Sequence, residues 1–259
     1  MFKKILLTSA LAVSASFAGW DSFQVLENHK GQARIGLSYT IDQFDNDDNF
    51  SSLQTGTGVR YTVIPNLELS LSLSYHIFTH HKGKETNRDG FQNPIIGIRY
   101  HFIPTMNVYA RVSIPVGDKT LVDKDAWGFN VGAEFYTPIN PLLNFGSRLA
   151  VSTATKGEDK KAPLSLTAAA ELNFMVTPQF NPYIGMSAYV FLGTFTEDGY
   201  RFSDGGNTVS VLPQIGASYA VNEIVSFTAE FGVLKSVHKN SNSSHNYSII
   251  SALQAKFNF

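Results

Sequence analysis

An all-β fold, a transmembrane antiparallel up-and-down β-barrel of about 12 strands, is what this sequence predicts. Apolar and polar residues alternate with period two in segment after segment, the connections alternate short and long, and the last segment carries the alternation to a terminal Phe259. No window past the first residues is apolar enough for a membrane helix. A membrane-spanning chain of this kind must therefore cross with strands, closed on themselves so that no backbone group faces lipid unpaired.

Met1 to Ala18 carries the three parts of a secretory signal: Lys3 and Lys4, an apolar run from Ile5 to Val13, and small residues at Ser16 and Ala18. The run is short of the roughly 20 residues a spanning helix needs. The expected organisation is a cleaved signal peptide, 1–18, and one barrel domain, 19–259. The absence of cysteine removes both a lipid-attachment thiol and a disulfide framework. Charged residues make up 16% of the chain, low against the roughly 25% of soluble domains. With 20 Lys+Arg against 21 Asp+Glu there is no basic stripe, which excludes nucleic acid as a partner.

Twelve segments carry the alternation: 31–41, 53–63, 67–78, 91–102, 107–116, 126–136, 143–154, 164–175, 183–194, 208–220, 224–236 and 247–259. Each matches the roughly 9–11 residues of a tilted spanning strand, or slightly exceeds it. Short connections hold Pro65-Asn66, Pro104-Thr105, Pro138 to Pro141, Thr177 to Pro182 and Val221 to Glu223; Pro ends a strand because it has no N–H to donate. The six long connections are polar, for example DQFDNDDNFSS and VHKNSNSSHN. Short turns on one side and long loops on the other are the asymmetry of bacterial outer-membrane barrels, so the outer membrane is the expected location.

The faces divide accordingly. Leu67, Leu69, Leu71, Leu73, Tyr75 and Ile77 alternate with Glu68, Ser70, Ser72, Ser74 and His76, giving one face for lipid and one for water. Aromatics gather at both ends of the apolar face: Tyr61, Phe102, Phe145, Phe174, Tyr219, Phe257 and Phe259 toward the short turns, Tyr39, Trp127, Phe191 and Tyr247 toward the long loops. Segments 183–194 and 208–220 are apolar on both faces in places, and their register stays open. A secreted soluble β-protein would also alternate, but it explains neither the loop lengths, nor the low charge, nor the terminal phenylalanine. A final strand ending in Phe257 and Phe259 resembles the assembly signal read by the barrel-assembly machinery, and closing that strand onto the first removes both sheet edges.

The water face collects Arg34, Arg60, Arg99, Arg111, Arg148 and Lys256 with Glu68, Glu134, Glu171 and Glu230, plus His76 and His101. An Arg or Lys facing lipid at mid-depth costs roughly 2–4 kcal/mol, which forces these side chains inward. They are the candidates for selecting solutes along a lumen, or else a salt-bridge network that supports the wall. Twelve strands lie between the roughly 8 of a filled barrel and the 16 of an open channel.

Other chemistry finds weaker support. A hydrolase needs a Ser or acid oriented on a His; His80, His81, His238 and His245 fall near Asp89, Ser241 and Ser243 in the expected external loops, but Ser241-Asn242 follows His238 at the wrong spacing for an outer-membrane phospholipase. Asp42, Asp45, Asp47 and Asp48 lack the glycine and distal glutamate of an EF-hand, so no metal and no cofactor are expected. Lys82, Lys84, Arg88, Lys119, Lys124, Lys156, Lys160 and Lys161 suit contacts with lipopolysaccharide phosphates.

The stretch GFQNPIIGIRYHF, Gly90 to Phe102, followed by NVYARVSIPVGD, Asn107 to Asp118, resembles the outer-membrane family described as "putative MetA-pathway of phenol degradation". The resemblance implies a channel-like barrel, associated in some members with aromatic or other apolar solutes, and carries over no functional residue. The expectation is thus a porin-like channel for passive passage of small solutes, without chemistry. A closed structural or adhesive barrel acting through its loops is the alternative, and an outer-membrane hydrolase stands behind it.

Overall fold

The computed structural model describes residues 23–44, 49–81, 89–122, 125–156, 162–196, 199–202, 208–238 and 245–259. Its strands in chain order are β1 (Gly31–Phe44), β2 (Asn49–Ile64), β3 (Leu67–His81), β4 (Gly90–Phe91), β5 (Ile95–Ile103), β6 (Met106–Ser113), β7 (Gly128–Asn140), β8 (Leu143–Ala154), β9 (Ala162–Phe174), β10 (Phe180–Thr196), β11 (Gly199–Phe202), β12 (Thr208–Ala220), β13 (Val225–His238) and β14 (His245–Asn258). The long strands, 12 in number, pair antiparallel with their neighbours, and β14 returns to β1, so the sheet is a closed up-and-down barrel. The short strands β4 and β11 extend the rim, on β3 and β10 respectively.

Closure explains the aromatic terminus. β1 and β14 pair without interruption from Gln32 opposite Asn258 to Gln43 opposite Tyr247. At the end of the seam Gly31 N–H donates to the Phe259 carbonyl at 2.7 Å, and Phe259 N–H to the Gly31 carbonyl at 2.9 Å. The phenylalanine ring lies across the glycine: a Cβ on Gly31 would stand 2.2 Å from it. A side chain larger than hydrogen at position 31 would thus force that ring to swing away.

The segment expected at 91–102 is broken, β4 ending at Phe91 and β5 beginning at Ile95, because Pro94 has no amide hydrogen for the ladder. The one at 107–116 stops at Ser113 for the same reason two residues before Pro115. Several strands run longer than a bilayer requires. β3 reaches His81, β13 reaches His238 and β14 begins at His245, so His80, His81, His238 and His245 belong to strand ends and not to loops. In the turn Pro65-Asn66, Asn66 takes φ 70°, a conformation Asn tolerates better than most residues.

The lipid face is as expected: Ile35, Leu37, Leu69, Leu71, Leu73, Ile98, Val131, Phe227 and Phe231 are exposed, while the alternate residues turn inward and are buried or half-buried. The open register is resolved. Tyr183, Ser187 and Tyr189 face the lumen and Ile184 and Met186 face lipid; on β12, Ser210, Leu212 and Gln214 face in and Ile215 and Tyr219 out. Phe191, expected in the outer aromatic girdle, stands opposite Ser165 on the lumen face, where the register shift between Phe191 and Gly193 begins.

Candidate functional site: the lumen

All ten charged candidates turn into the barrel. Their placement follows from register: Glu68 on β3 stands opposite Arg99 on β5, and Glu134 on β7 opposite Arg148 on β8. Glu68 Oε1 accepts from Arg99 Nη1 at 3.0 Å, and its Oε2 lies 3.4 Å from Arg60 Nη1. Glu134, with none of its side chain exposed, accepts from Arg148 Nη2 at 2.7 Å and from its Nε at 2.9 Å. The second oxygen of Glu134 faces Arg99 Nε at 3.0 Å, an ion pair whose angle falls short of a hydrogen bond. The five-strand chain Arg60–Glu68–Arg99–Glu134–Arg148 is therefore one connected network across β2, β3, β5, β7 and β8.

Arg34 and Arg111 add positive charge to it. Arg111, Arg60, Arg99 and Arg148 all lie close enough to repel the Arg34 guanidinium. Arg111 stacks over Tyr109, 4.7 Å from its ring centroid, and no ion pair of its own is recorded among the described residues. Among the described residues five guanidiniums thus gather around two carboxylates.

The remaining candidates lie apart from this network. Glu171 accepts from Asn173 Nδ2 at 2.9 Å. Glu230 accepts a short 2.6 Å bond from the Tyr183 hydroxyl, and Tyr183 reaches it by lying over Gly216, where a Cβ would stand 2.3 Å from the ring. Lys256 stands opposite Arg34 and Ser226 and is buried. His76 is buried beside Thr79, and His101 Nδ1 meets Asn107 Oδ1 at 2.9 Å.

One participant carries no periodic signal. Residues 23–26 lie inside the barrel at the short-turn end, and exposed residues 27–30 lead from them to β1. Phe23 is 1% exposed, its ring 5.4 Å from the Arg148 guanidinium and pressed on Gly146, where a Cβ would stand 2.9 Å away. The Phe23 carbonyl accepts from Asn107 Nδ2, the Gln24 carbonyl from Arg60 Nη1 at 2.9 Å, and the Leu26 carbonyl from Thr62 Oγ1 at 2.9 Å, while Leu26 N–H donates to Glu68 at 3.3 Å. The segment is therefore tied into the same network. Asn107 and Tyr109 share the face of Arg111 and were open to the alternation rule; Phe23 was not, because a segment held by scattered polar contacts has no period.

At the long-loop end the Ser248 hydroxyl donates to Asp42, His245 Nε2 meets Ser248 Oγ at 2.8 Å, and Ser236 Oγ meets Ser210 Oγ at 3.1 Å. With its proton committed to Asp42, Ser248 is not aligned as a nucleophile on His245. Asp45, Asp47, Asp48, Ser241, Ser243, Lys82, Lys84, Arg88, Lys124, Lys160 and Lys161 lie outside the described residues, as does the expected signal peptide. Among the described residues no group of three or more His, Cys, Asp or Glu is placed to hold a metal ion.

Known structures share this architecture. The COG4313 outer membrane channel from Pseudomonas putida F1 superposes with TM-score 0.76 at 10% identity, over 93% of this chain and 100% of its own. The translocator domain of the autotransporter NalP from Neisseria meningitidis gives TM-score 0.59 at 11% identity, over 97% and 96% of the two chains. The NanC porin gives 0.53 at 9% identity, over 87% and 98%. At such identities the likeness is one of fold. No curated protein sequence matches the chain. The family described as "Putative MetA-pathway of phenol degradation" matches residues 20–200, continuing well beyond the Gly90 to Asp118 stretch that first suggested it. On that match the chain belongs to this family.

Proposed function

We propose that the protein is an outer-membrane channel that passes small solutes by diffusion, without chemistry, and that favours anions. The observation that carries this reading is the contrast between an apolar outer wall and a polar lumen in which five guanidiniums surround two carboxylates. Such a lumen concentrates anions and repels cations electrostatically. Its fold is shared with outer-membrane channels and porins, which supports the location and the porin-like reading. The candidates for selectivity are the ten inward charges, Arg111 among them held over the Tyr109 ring and not by a carboxylate. Assembly then requires the Phe257 and Phe259 strand to be received by the barrel-assembly machinery, and Lys119 and Lys156 suit lipopolysaccharide phosphates at the rim.

A second reading has its own observation. Residues 23–26 occupy the short-turn end of the lumen and hydrogen-bond to its wall, as a closed structural barrel would require. Single-channel recording of the refolded chain in a planar bilayer, under a salt gradient, separates the two. Discrete steps with an anion-selective reversal potential support the channel; a verified, heat-modifiable barrel that stays silent supports the closed one.

A further inference from the structure

One row of inward residues crosses five strands beside the charged network. Register sets Ser70 on β3 opposite Gly97 on β5, Gly97 opposite Arg111 on β6, Arg111 opposite Asn130 on β7, and Asn130 opposite Ser152 on β8. Ser70, Arg111, Asn130 and Ser152 are half-buried, whereas Glu68, Arg99, Tyr109 and Ala150, the next inward residues toward the short turns, are buried. The row therefore borders the open part of the lumen, where the packed network begins.

Arg111 is the cation of this row. It lies over the Tyr109 ring, 4.7 Å from the centroid, and among the described residues no hydrogen bond or ion pair takes up its donors. Glu134, the carboxylate that attracts it, is held by Arg148 and Arg99. A guanidinium stacked on a ring keeps its N–H edge for an oxyanion, and that fork matches a carboxylate. No side chain at position 97 competes for the place: the Arg111 Cγ lies 3.3 Å, and the Ser70 Oγ 2.5 Å, from where a Cβ would stand. On the other side Asn130 Nδ2 donates to Ser152 Oγ at 2.7 Å, a bond that leaves the Ser152 hydroxyl hydrogen and the Asn130 carbonyl oxygen for a solute.

We propose that this row is a binding subsite for hydroxylated monocarboxylates such as aldonic acids, with the carboxylate on Arg111 and the hydroxyls on Asn130 and Ser152. Two strand spacings, roughly 10 Å, separate Arg111 from Ser152, a distance suited to a six-carbon acid. One carboxylate is the match, because the neighbouring guanidinium of Arg148 spends Nε and Nη2 on Glu134. Hydroxyls exchange hydrogen bonds with Asn130 and Ser152, whereas a plain alkyl chain would strip water from both and return nothing. The inference rests on the anion-favouring reading of the lumen and names the class of anion.

The test is titration calorimetry of the purified full chain in detergent, against protein-free micelles, with three probes. Sodium gluconate carries both the carboxylate and the hydroxyls, sodium hexanoate the carboxylate alone, and glucose the hydroxyls alone. Gluconate should bind saturably, and hexanoate and glucose each about tenfold more weakly or worse. Arg111→Gln should weaken gluconate by about tenfold or more, and Arg111→Lys, which keeps the charge without the fork, should restore part of it. Asn130→Ala should weaken gluconate and leave hexanoate as it was, a split that a merely structural role would not produce. Each variant is first shown to be a heat-modifiable barrel. Equal binding of gluconate and hexanoate overturns the proposal, as does gluconate binding that survives Arg111→Gln. Potassium chloride conductance is recorded alongside. A barrel that conducts anions but binds no gluconate refutes the subsite and leaves the channel reading intact, whereas Arg111-dependent gluconate binding by a barrel that never conducts supports the subsite and refutes the channel.

Discussion

Replacing Glu134 by Ala measures how dry the lumen is. Among the described residues Glu134 is the one carboxylate paired with Arg148, at 2.7 Å, and one of two against Arg99, whose other partner, Glu68, remains at 3.0 Å. The side chains are 0% exposed for Glu134 and 10% for each arginine. Breaking a buried pair by removing one partner costs about 3–5 kcal/mol, because the remaining charge is left uncompensated. Arg99 keeps half of its compensation and Arg148 keeps its contacts with the Phe23 and Tyr109 rings, which places the expected loss near the lower end, about 3 kcal/mol. Urea unfolding of the vesicle-refolded barrel reads this from the midpoint at constant slope. Glu134→Gln, which keeps an acceptor oxygen, should lose less than Glu134→Ala. A loss under about 1 kcal/mol for the alanine variant would refute the reasoning, since it would mean that water already solvates Arg148 as it does a surface pair.

Arg111→Glu should move the reversal potential toward cations without changing stability as much, because Arg111 is held by the Tyr109 ring and not by a carboxylate; an unmoved potential would remove it from the conducting path. Gly146→Val should raise conductance by driving out Phe23, whose ring lies 2.9 Å from the site of the new Cβ, and Phe23→Ala should do the same; unchanged conductance in both would show that the segment does not obstruct. Deleting Phe259 removes both backbone bonds to Gly31 at the seam and should slow assembly, read as loss of the heat-modifiable band; normal insertion would end the case for the terminal aromatic.

The sequence by itself determined the wall. Period-two alternation in a lipid-facing strand is imposed residue by residue, since an inward Arg99 beside an outward Ile98 and Tyr100 has one register that avoids charge in hydrocarbon. The alternation therefore placed Arg34, Glu68, Glu134 and the other charges inward before any contact was known. It faltered where both faces are apolar, at 183–194 and 208–220, because there neither register is penalised; the pairing of Tyr183 with Asn173 and of Ile215 with Phe231 settled it. Only the tertiary structure decided which charges meet. Glu68 and Glu134 share Arg99 because β3, β5 and β7 curve around one narrow lumen, and strand order alone leaves β3 and β7 two neighbours apart. Only the closed barrel shows residues 23–26 lodged inside it, since their hold is a set of hydrogen bonds to Asn107, Arg60, Thr62 and Glu68, long-range partners that no local pattern encodes. Alternation is written locally because each side chain meets lipid or water on its own; the lumen network is not, because its energy exists only between residues brought together by closure.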